Sequence, residues 1–140
     1  MTLIEKSLAI ALRAHTGVID KAGRAYILHP LRIMAKMTTD TEMSVALLHD
    51  VIEDSDITAD DLLAEGIPEQ VVTAVLCLTK QADESYQDFV LRAKQNPVAR
   101  KVKIADIEDN LNVLRIKNLT EKDLARITKY HAAWYLLNQT

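Results

Sequence analysis

The sequence predicts an all-α protein, and three observations support this fold class. Apolar residues recur at helical spacing, and no segment shows the sustained alternation that is typical of a strand. The 140 residues include only three glycines and three prolines, so the chain has few breaks. Several segments begin with serine or threonine followed three residues later by an acid, the signature of a helix cap. We expect one domain, residues 1–140, folded as a helical bundle of about seven to eight helices.

The helices of the first half of the chain can be placed from their boundary residues. The signals are, in chain order, a capping box at Thr2 and Glu5, a loop over residues 17–26 with a bend at Gly23, a first-turn proline at Pro30 and a cap at Thr41. Apolar residues at helical spacing follow the first cap and end at His15. The cap at Thr41 is predicted to start a helix that carries His49.

The second half of the chain contains the same kinds of signal. They are a capping box at Thr58 and Asp61 closed by Gly66, a helix opened by Pro68, a cap at Ser85 and Asp88, the break Asn96-Pro97, a long helix over residues 98–115, and a cap at Thr120 and Asp123. The last helix is expected to bury one stripe, formed by Leu124, Ile127, His131 and Trp134. These helices complete the predicted bundle.

Composition excludes several classes of partner. The net charge is -3, acidic and basic residues are interspersed, and no basic stripe suits a nucleic acid. No apolar run approaches the roughly 18 residues that span a bilayer, and we expect no secretory signal in the first helix. The single cysteine, Cys77, lies in an apolar run and is predicted to be a core residue. We therefore expect a cytoplasmic protein without membrane or nucleic-acid partners, while the oligomeric state stays open.

The most informative segment is residues 46–54, Ala-Leu-Leu-His-Asp-Val-Ile-Glu-Asp. On a continuous helix, His49 and Glu53 lie four residues apart, as do Asp50 and Asp54, so these groups share neighbouring faces. The apolar residues before them leave no exposed face, which disfavours a merely solvated acidic helix end. Burying so many charges without a partner costs roughly several kcal/mol each. The segment therefore indicates a metal or substrate site.

The remaining candidate ligands differ in their sequence surroundings. His15 and His131 lie on apolar faces of helices, which favours hydrogen-bonded core histidines. His29 stands where a loop enters a helix through Pro30, so it can point into a cleft. A catalytic divalent ion is typically held by imidazoles and carboxylates with positions left for water. His29, His49 and Asp50 supply three ligands, and spacing alone leaves the fourth open between Asp106 and Asp109.

Together these motifs resemble the HD superfamily of metal-dependent phosphohydrolases, and more narrowly the (p)ppGpp hydrolase domain of the RelA/SpoT family. The matching segments run in family order along nearly the whole chain. They are Ala14-His15-x-Gly17, Lys21-x-Gly23, Tyr26-Ile27-x-His29-Pro30, residues 46–54, Leu78-Thr79, and Val102-Lys103-Ile104-Ala105-Asp106 with Asn110. A lone His-Asp dipeptide is weak evidence, whereas the extended block with Glu53-Asp54 is specific.

The resemblance implies a role for each matching residue. It assigns His29, His49, Asp50 and Asp106 as ligands of a divalent ion, usually manganese. Glu53 and Asp54 match the acidic pair that activates or orients the hydrolytic water. The implied substrate contacts are Lys21, Asn110 and, more loosely, Tyr130, for which a core aromatic is the equal alternative.

The implied reaction is hydrolysis of the 3′-pyrophosphate of guanosine or adenosine tetra- and pentaphosphates, with release of pyrophosphate. One departure from the family pattern concerns recognition of the nucleotide base. Family hydrolases carry Arg-Lys before the first ligand, where this chain has Asp20-Lys21, and a carboxylate cannot stack on a base as a guanidinium does. Base selection therefore stays open, with another phosphorylated nucleotide as the alternative substrate of a nucleotidase or phosphodiesterase. Neither Asp20 nor Val18, where a glutamine is frequent, touches the predicted metal site.

Overall fold

Helices are the only regular secondary structure in the computed structural model, which describes residues 1–140. The bounds are α1 Leu3–His15, α2 Leu28–Ala35, α3 Asp40–Leu48, α4 Val51–Asp54, α5 Ala59–Ala64, α6 Glu69–Cys77, α7 Tyr86–Lys94, α8 Pro97–Asn110, a 3₁₀ turn Val113–Arg115, and α9 Glu121–Asn138. The predicted all-α class is confirmed. There are more helices than predicted because the helix through the motif is divided at His49 and Asp50 into α3 and α4.

Side-chain caps start most of the helices at the predicted residues. Capping boxes are formed at Thr2, Thr58 and Thr120, and Ser85 and Asn96 cap α7 and α8. The predicted cap at Thr41 is wrong, because Thr39 caps α3 instead. The Thr39 hydroxyl accepts a hydrogen bond from the Glu42 N–H at 3.1 Å, and Glu42 accepts one from the Thr39 N–H at 3.2 Å. This reciprocal pair needs an acid three residues after the cap, which Thr39 has and Thr41 lacks.

α3 lies at the centre of the fold, in contact with α1, α2, α6 and α8. Its residues Val45–Leu48 are 0% exposed. A helix with neighbours on several sides has no solvent face to fill with polar residues, which explains its apolar composition. α1 approaches α3 through two small side chains, Ser7 and Ser44, whose hydroxyl oxygens lie 2.5 Å apart in a fully buried contact. The motif at the end of α3 is therefore placed in the interior.

α8 joins the two parts of the core. Val102 and Ala105 pack in the main core with α1–α3 and α6, whereas Ile107 packs with residues of α7 and α9. The Arg100 guanidinium donates hydrogen bonds to the carbonyl oxygens of Leu137 at 2.7 Å and Gln139 at 2.8 Å, which ties the end of α9 to α8. The N-terminal half of α9 is thereby aligned beside the end of α8.

The face that α9 buries differs from the predicted stripe. Leu124 is 52% exposed and His131 is exposed, so the expectation of a core histidine at position 131 is wrong. The buried residues are Asp123, Ala133 and Leu137, because α8 and α7 cover a different side of the helix. None of the helices combines the length and apolar character needed to cross a membrane.

The buried serine pair provides a test of the close approach between α1 and α3. Ser7 already donates to the Leu3 carbonyl at 2.8 Å, so Ser44→Ala removes one hydrogen bond and should lower the unfolding free energy by about 0.5–1.5 kcal/mol. Ser44→Val adds volume to a fully buried contact and should lower it by about 1–3 kcal/mol. Urea denaturation of both variants measures this order, and a valine variant as stable as the alanine variant would contradict it.

Candidate metal centre

His49 is placed by the end of α3. The backbone stays near helical values at His49 and reaches φ -104° and ψ 0° at Asp50, where the helix is interrupted. Carbonyl groups in the last turn of a helix lack a backbone partner, and Nδ1 of His49 lies 2.6 Å from the carbonyl oxygen of Ala46. With Nδ1 donating to this carbonyl, Nε2 of the ring is unprotonated in the neutral form and faces away from α3. The continuous helix assumed for this segment is therefore wrong, and the break orients the imidazole.

His29 reaches the same place from the first turn of α2. Its side chain is buried, with Nε2 2.8 Å from Oδ1 of Asp106 and Nδ1 2.7 Å from Oδ2 of Asp109. Asp106 and Asp109 stand one turn apart on α8 and contact opposite sides of one ring. Asp106 Oδ1 also lies 3.6 Å from Nε2 of His49, whereas Asp109 lies behind His29. The two carboxylates that spacing could not distinguish thus have different surroundings.

Three of the four predicted ligands converge closely enough to hold one ion, and Asp106 lies beside them. The ligand atoms of His29, His49 and Asp50 lie within 4.8 Å of one another. Oδ2 of Asp50 is 3.0 Å from Nε2 of His49 and 4.0 Å from Nε2 of His29. If two ligand atoms each lie about 2.1 Å from a shared ion, they are about 3.0 Å apart when the angle at the ion is a right angle. They are at most about 4.2 Å apart, when they lie on opposite sides of the ion. The separations between these ring nitrogens and carboxylate oxygens, 2.8–4.0 Å, all fall within that limit.

The electrostatics of this cluster favour a cation. Burial by itself lowers the pKa of a histidine, yet the carboxylates around His29 and His49 raise both pKa values. Burial raises the pKa of an aspartate, yet His49 lowers that of Asp50, and Lys103 and His29 lower that of Asp106. Nε2 of His49 is buried and accepts or donates no well-aligned hydrogen bond. A buried imidazole nitrogen facing two carboxylates fits a divalent metal ion.

Three further side chains orient the carboxylates. The Tyr26 hydroxyl donates to Oδ2 of Asp50, and burial together with that carboxylate raises the pKa of Tyr26. Asn110 donates to Oδ1 of Asp106 at 3.2 Å, and Lys103 contacts Oδ2 at 3.1 Å. Lys103 is only 8% exposed and lies 4.8 Å above the Phe89 ring. The ion pair between Lys103 and Asp106 is therefore buried, and Lys103 is held away from solvent.

The acidic pair lies in α4, just beyond the buried cluster. Glu53 is exposed and accepts a hydrogen bond from the backbone N–H of Lys80, in the loop after α6. Asp54 is also exposed as a residue, and desolvation with the charges of Asp50 and Glu53 raises its pKa to about 6. A carboxyl group with a pKa of about 6 can accept and return a proton near neutral pH. The geometry therefore allows acid–base chemistry at this edge of the cluster.

A cavity of about 330 Å³ opens beside His29, between the loop after α1 and the ends of α8 and α9. All three predicted substrate residues line it: Lys21, Asn110 and Tyr130. Lys21 is half exposed, with Nζ 3.1 Å from Oδ1 of Asp123. The lining also includes three arginines that sequence reasoning missed, which are Arg32, Arg115 and Arg126.

Asp20 has a local role in the loop before His29. Its Oδ1 accepts hydrogen bonds from the backbone N–H groups of Ala22 and Arg24, both at 2.9 Å. An aspartate that bonds the backbone two residues ahead stabilises a tight turn, and here the turn continues through Gly23, which has a φ of +79°. Asp20 borders the cavity, but its carboxylate oxygen is engaged by the loop that presents Lys21.

Some contacts of the site had a signal in the sequence and others had none. His29 and Arg32 are three residues apart on α2, and Asp106 and Asp109 have the same spacing on α8, so facing helices bring both pairs together. That shared spacing could have indicated the pairing of Asp109 with Arg32. His15 is buried as predicted but has no hydrogen-bond partner on either ring nitrogen, and its ring packs 4.9 Å from that of Tyr26. Its contact with Tyr26 had no sequence signal.

Comparison with known proteins gives a consistent set of relatives. No protein-family model matches the chain. A guanosine-3′,5′-bis(diphosphate) 3′-pyrophosphohydrolase of Vibrio cholerae is 32% identical over 125 residues, covering 79% of this chain and 18% of the relative. The protein of the same name from Aquifex aeolicus is 30% identical over 123 residues, with the same coverage. The predicted resemblance to the RelA/SpoT hydrolases is confirmed. The chain spans about a fifth of the length of these RelA/SpoT relatives.

A solved structure shows the same fold. It is described as a metazoan orthologue of SpoT that hydrolyses ppGpp and plays a role in starvation responses. The match has a TM-score of 0.78 at 22% identity and covers 100% of this chain and 88% of the other. The helical arrangement of this chain is therefore shared along its whole length with that structure, including the helices that carry the histidine and aspartate cluster.

The raised pKa of Asp54 predicts a pH-dependent effect on stability. Because the folded pKa, about 6, exceeds the ordinary value, the contribution of Asp54 is fully favourable below about pH 4 and is lost as the pH rises through 6. In metal-free protein, Asp54→Asn should raise the melting temperature at pH 7.5 and leave it nearly unchanged at pH 4. Thermal denaturation in EDTA measures both, with the exposed Asp83→Asn as control. An equal effect at the two pH values would contradict the assignment.

Proposed function

We propose that the chain is a metal-dependent (p)ppGpp 3′-pyrophosphohydrolase that acts on a small nucleotide in the cytoplasm, with residues 1–140 forming one hydrolase domain. The observation that carries this proposal is the convergence of two imidazole nitrogens and two carboxylate oxygens beside a cavity that contains Lys21 and three arginines. The names of the relatives that match 79% of the chain support the same activity.

His29, His49, Asp50 and Asp106 are the proposed ligands. The separations between the ligand atoms of His29, His49 and Asp50 suit one ion, and Oδ1 of Asp106 lies 2.8 Å from Nε2 of His29 and 3.6 Å from Nε2 of His49. A mixed imidazole and carboxylate set suits several divalent metals, and the resemblance to the RelA/SpoT hydrolases favours manganese, which we propose as the native metal. A divalent ion held there would act as a Lewis acid and lower the pKa of a water molecule toward about 7. Asp109 is excluded from the proposed set because it contacts the far side of the His29 ring.

Glu53 and Asp54 are the proposed acid–base groups. The Glu53 carboxylate accepts a hydrogen bond from the Lys80 N–H, and Asp54 has a pKa of about 6. Hydrolysis adds water across the bond between phosphorus and the 3′ oxygen, so one proton must leave the water and one must reach the departing oxygen. A positioned carboxyl pair can exchange these protons, which typically contributes about 10²–10⁴ in rate.

The cavity supplies the proposed substrate contacts. Lys21 is half exposed and can balance phosphate charge, and Asn110 and Tyr130 present polar groups to the same space. The walls also include Ile19, Ile116 and Ile127, apolar surfaces suited to the face of a base. Because Asp20 is bonded within its own loop, guanine and adenine nucleotides are both candidates, and measured rates decide between them.

The first test compares substrates with and without metal. Metal-stripped protein is incubated with ppGpp or pppApp, with and without Mn²⁺, and pyrophosphate and single phosphate are measured separately. We expect Mn²⁺-dependent release of pyrophosphate, with the ratio of the two rates giving the base preference. Full-rate hydrolysis by the metal-depleted protein, or release of single phosphate only, would refute the proposal.

The second test separates the acid–base pair from the metal ligands. Glu53→Gln should lower kcat by about 10²–10⁴ while leaving Mn²⁺ binding intact, because the side chain is not a proposed ligand. His49→Ala should instead abolish Mn²⁺ binding. Calorimetric titration with Mn²⁺ and a pyrophosphate assay make the distinction, and Glu65→Gln, an exposed acid paired with Arg13, is the matched control. Normal turnover by Glu53→Gln would remove Glu53 from the mechanism.

A further inference from the structure

Asp109 contacts His29 but is not one of the proposed metal ligands, so this contact has no role in the proposed reaction so far. Its carboxylate lies behind the His29 ring, with Oδ2 2.7 Å from Nδ1, while Nε2 on the other side faces Asp106. Asp109 is only 6% exposed. The Asp109 carboxylate is therefore buried against the ring nitrogen that does not face the cluster.

Asp109 is held in turn by arginines. Arg32 donates from Nε to Oδ1 at 2.8 Å and from Nη2 to Oδ2 at 3.0 Å, a two-point contact that sets the carboxylate plane. Arg115 donates from Nη2 to the Asp109 carbonyl oxygen at 2.8 Å and from Nη1 to Oδ1 at 3.4 Å. Because Arg32 follows His29 by three residues on α2, the helix that carries the imidazole also carries the group that aligns its acceptor.

We propose that Arg32 and Asp109 form a positioning pair that sets the tautomer and orientation of His29 for metal binding. A carboxylate acceptor at Nδ1 keeps the hydrogen of the neutral ring on that nitrogen, so the lone pair of Nε2 points toward Asp50 and Asp106. This inference rests on the proposed metal site. It assigns no contact with substrate to either residue, so their effect is on metal affinity.

The experiment measures Mn²⁺ affinity rather than turnover. Free Mn²⁺ is followed by electron paramagnetic resonance during titration of the full chain, for the wild type and Asp109→Asn. We expect the dissociation constant of Asp109→Asn to rise by about 10- to 100-fold, the usual effect of removing a carboxylate that orients a histidine ligand. Asp123→Asn is the matched control, since Asp123 is an equally buried aspartate of the same cavity that pairs with Lys21 and Arg126 and contacts no proposed ligand. Its dissociation constant should stay within about twofold.

Arg32→Gln gives the sharper test because two explanations predict opposite signs. If Arg32 acted only through its charge, removing a cation near a cation site would tighten Mn²⁺ binding. If Arg32 aligns Asp109, the variant should bind Mn²⁺ several-fold more weakly despite the loss of a positive charge. Weaker binding by Arg32→Gln supports the positioning pair, and tighter or unchanged binding overturns it.

The remaining outcomes separate this inference from the proposed function. A wild-type protein that binds no Mn²⁺ would refute the metal site and the positioning pair together. Normal wild-type binding with an unchanged dissociation constant in Asp109→Asn would refute only the positioning pair. Thermal unfolding in EDTA accompanies each titration, and a variant that melts earlier yet binds Mn²⁺ normally assigns Asp109 to stability alone, which also overturns the proposal.

Discussion

Two imidazoles and two carboxylates lie together in the interior where α3 ends. Their charges depend on one another and on the neighbouring side chains that contact them. Each isolated charge in such a place costs roughly several kcal/mol, so every carboxylate there is met by a cation or a hydrogen-bond donor. Lys103 and Asn110 contact Asp106, and Tyr26 contacts Asp50. α2, α3 and α8 must keep their register for these contacts to form, which ties the helical packing to the candidate metal centre.

The break between α3 and α4 shows how local structure and site chemistry are connected. A continuous helix would use the Ala46 carbonyl in its own ladder, whereas here that oxygen lies 2.6 Å from the His49 ring. The interruption also leaves Asp50 outside the helical ladder of α3, beside His49. The exposed acidic pair then follows in the four residues of α4. One irregular step in the backbone therefore separates buried ligand candidates from solvent-exposed carboxyl groups.

The charged groups of the cavity are arranged differently from those of the cluster. Its cations are paired with aspartates at its walls, Lys21 and Arg126 with Asp123, and Arg32 with Asp109. Such pairs contribute little to stability when they are partly exposed, but they hold long side chains in defined positions. Asp20 acts in the same way on the backbone, since it orders the turn that presents Lys21. The aspartates of this region thus mainly hold hydrogen-bond donors in position.

The sequence by itself determined the helical class, most caps and the chemical character of the site, because these depend on short-range spacing and on residue type. The apolar run before His49 and the acidic pair after it predicted a metal or substrate site at this segment, and the structure places His49 in the interior. Tertiary structure decided which of Asp106 and Asp109 faces both imidazoles, since their spacing on α8 is equally compatible with either. It also decided that Lys103 is buried and that α9 buries a face other than the predicted stripe, because long-range packing selects which side of a helix is covered.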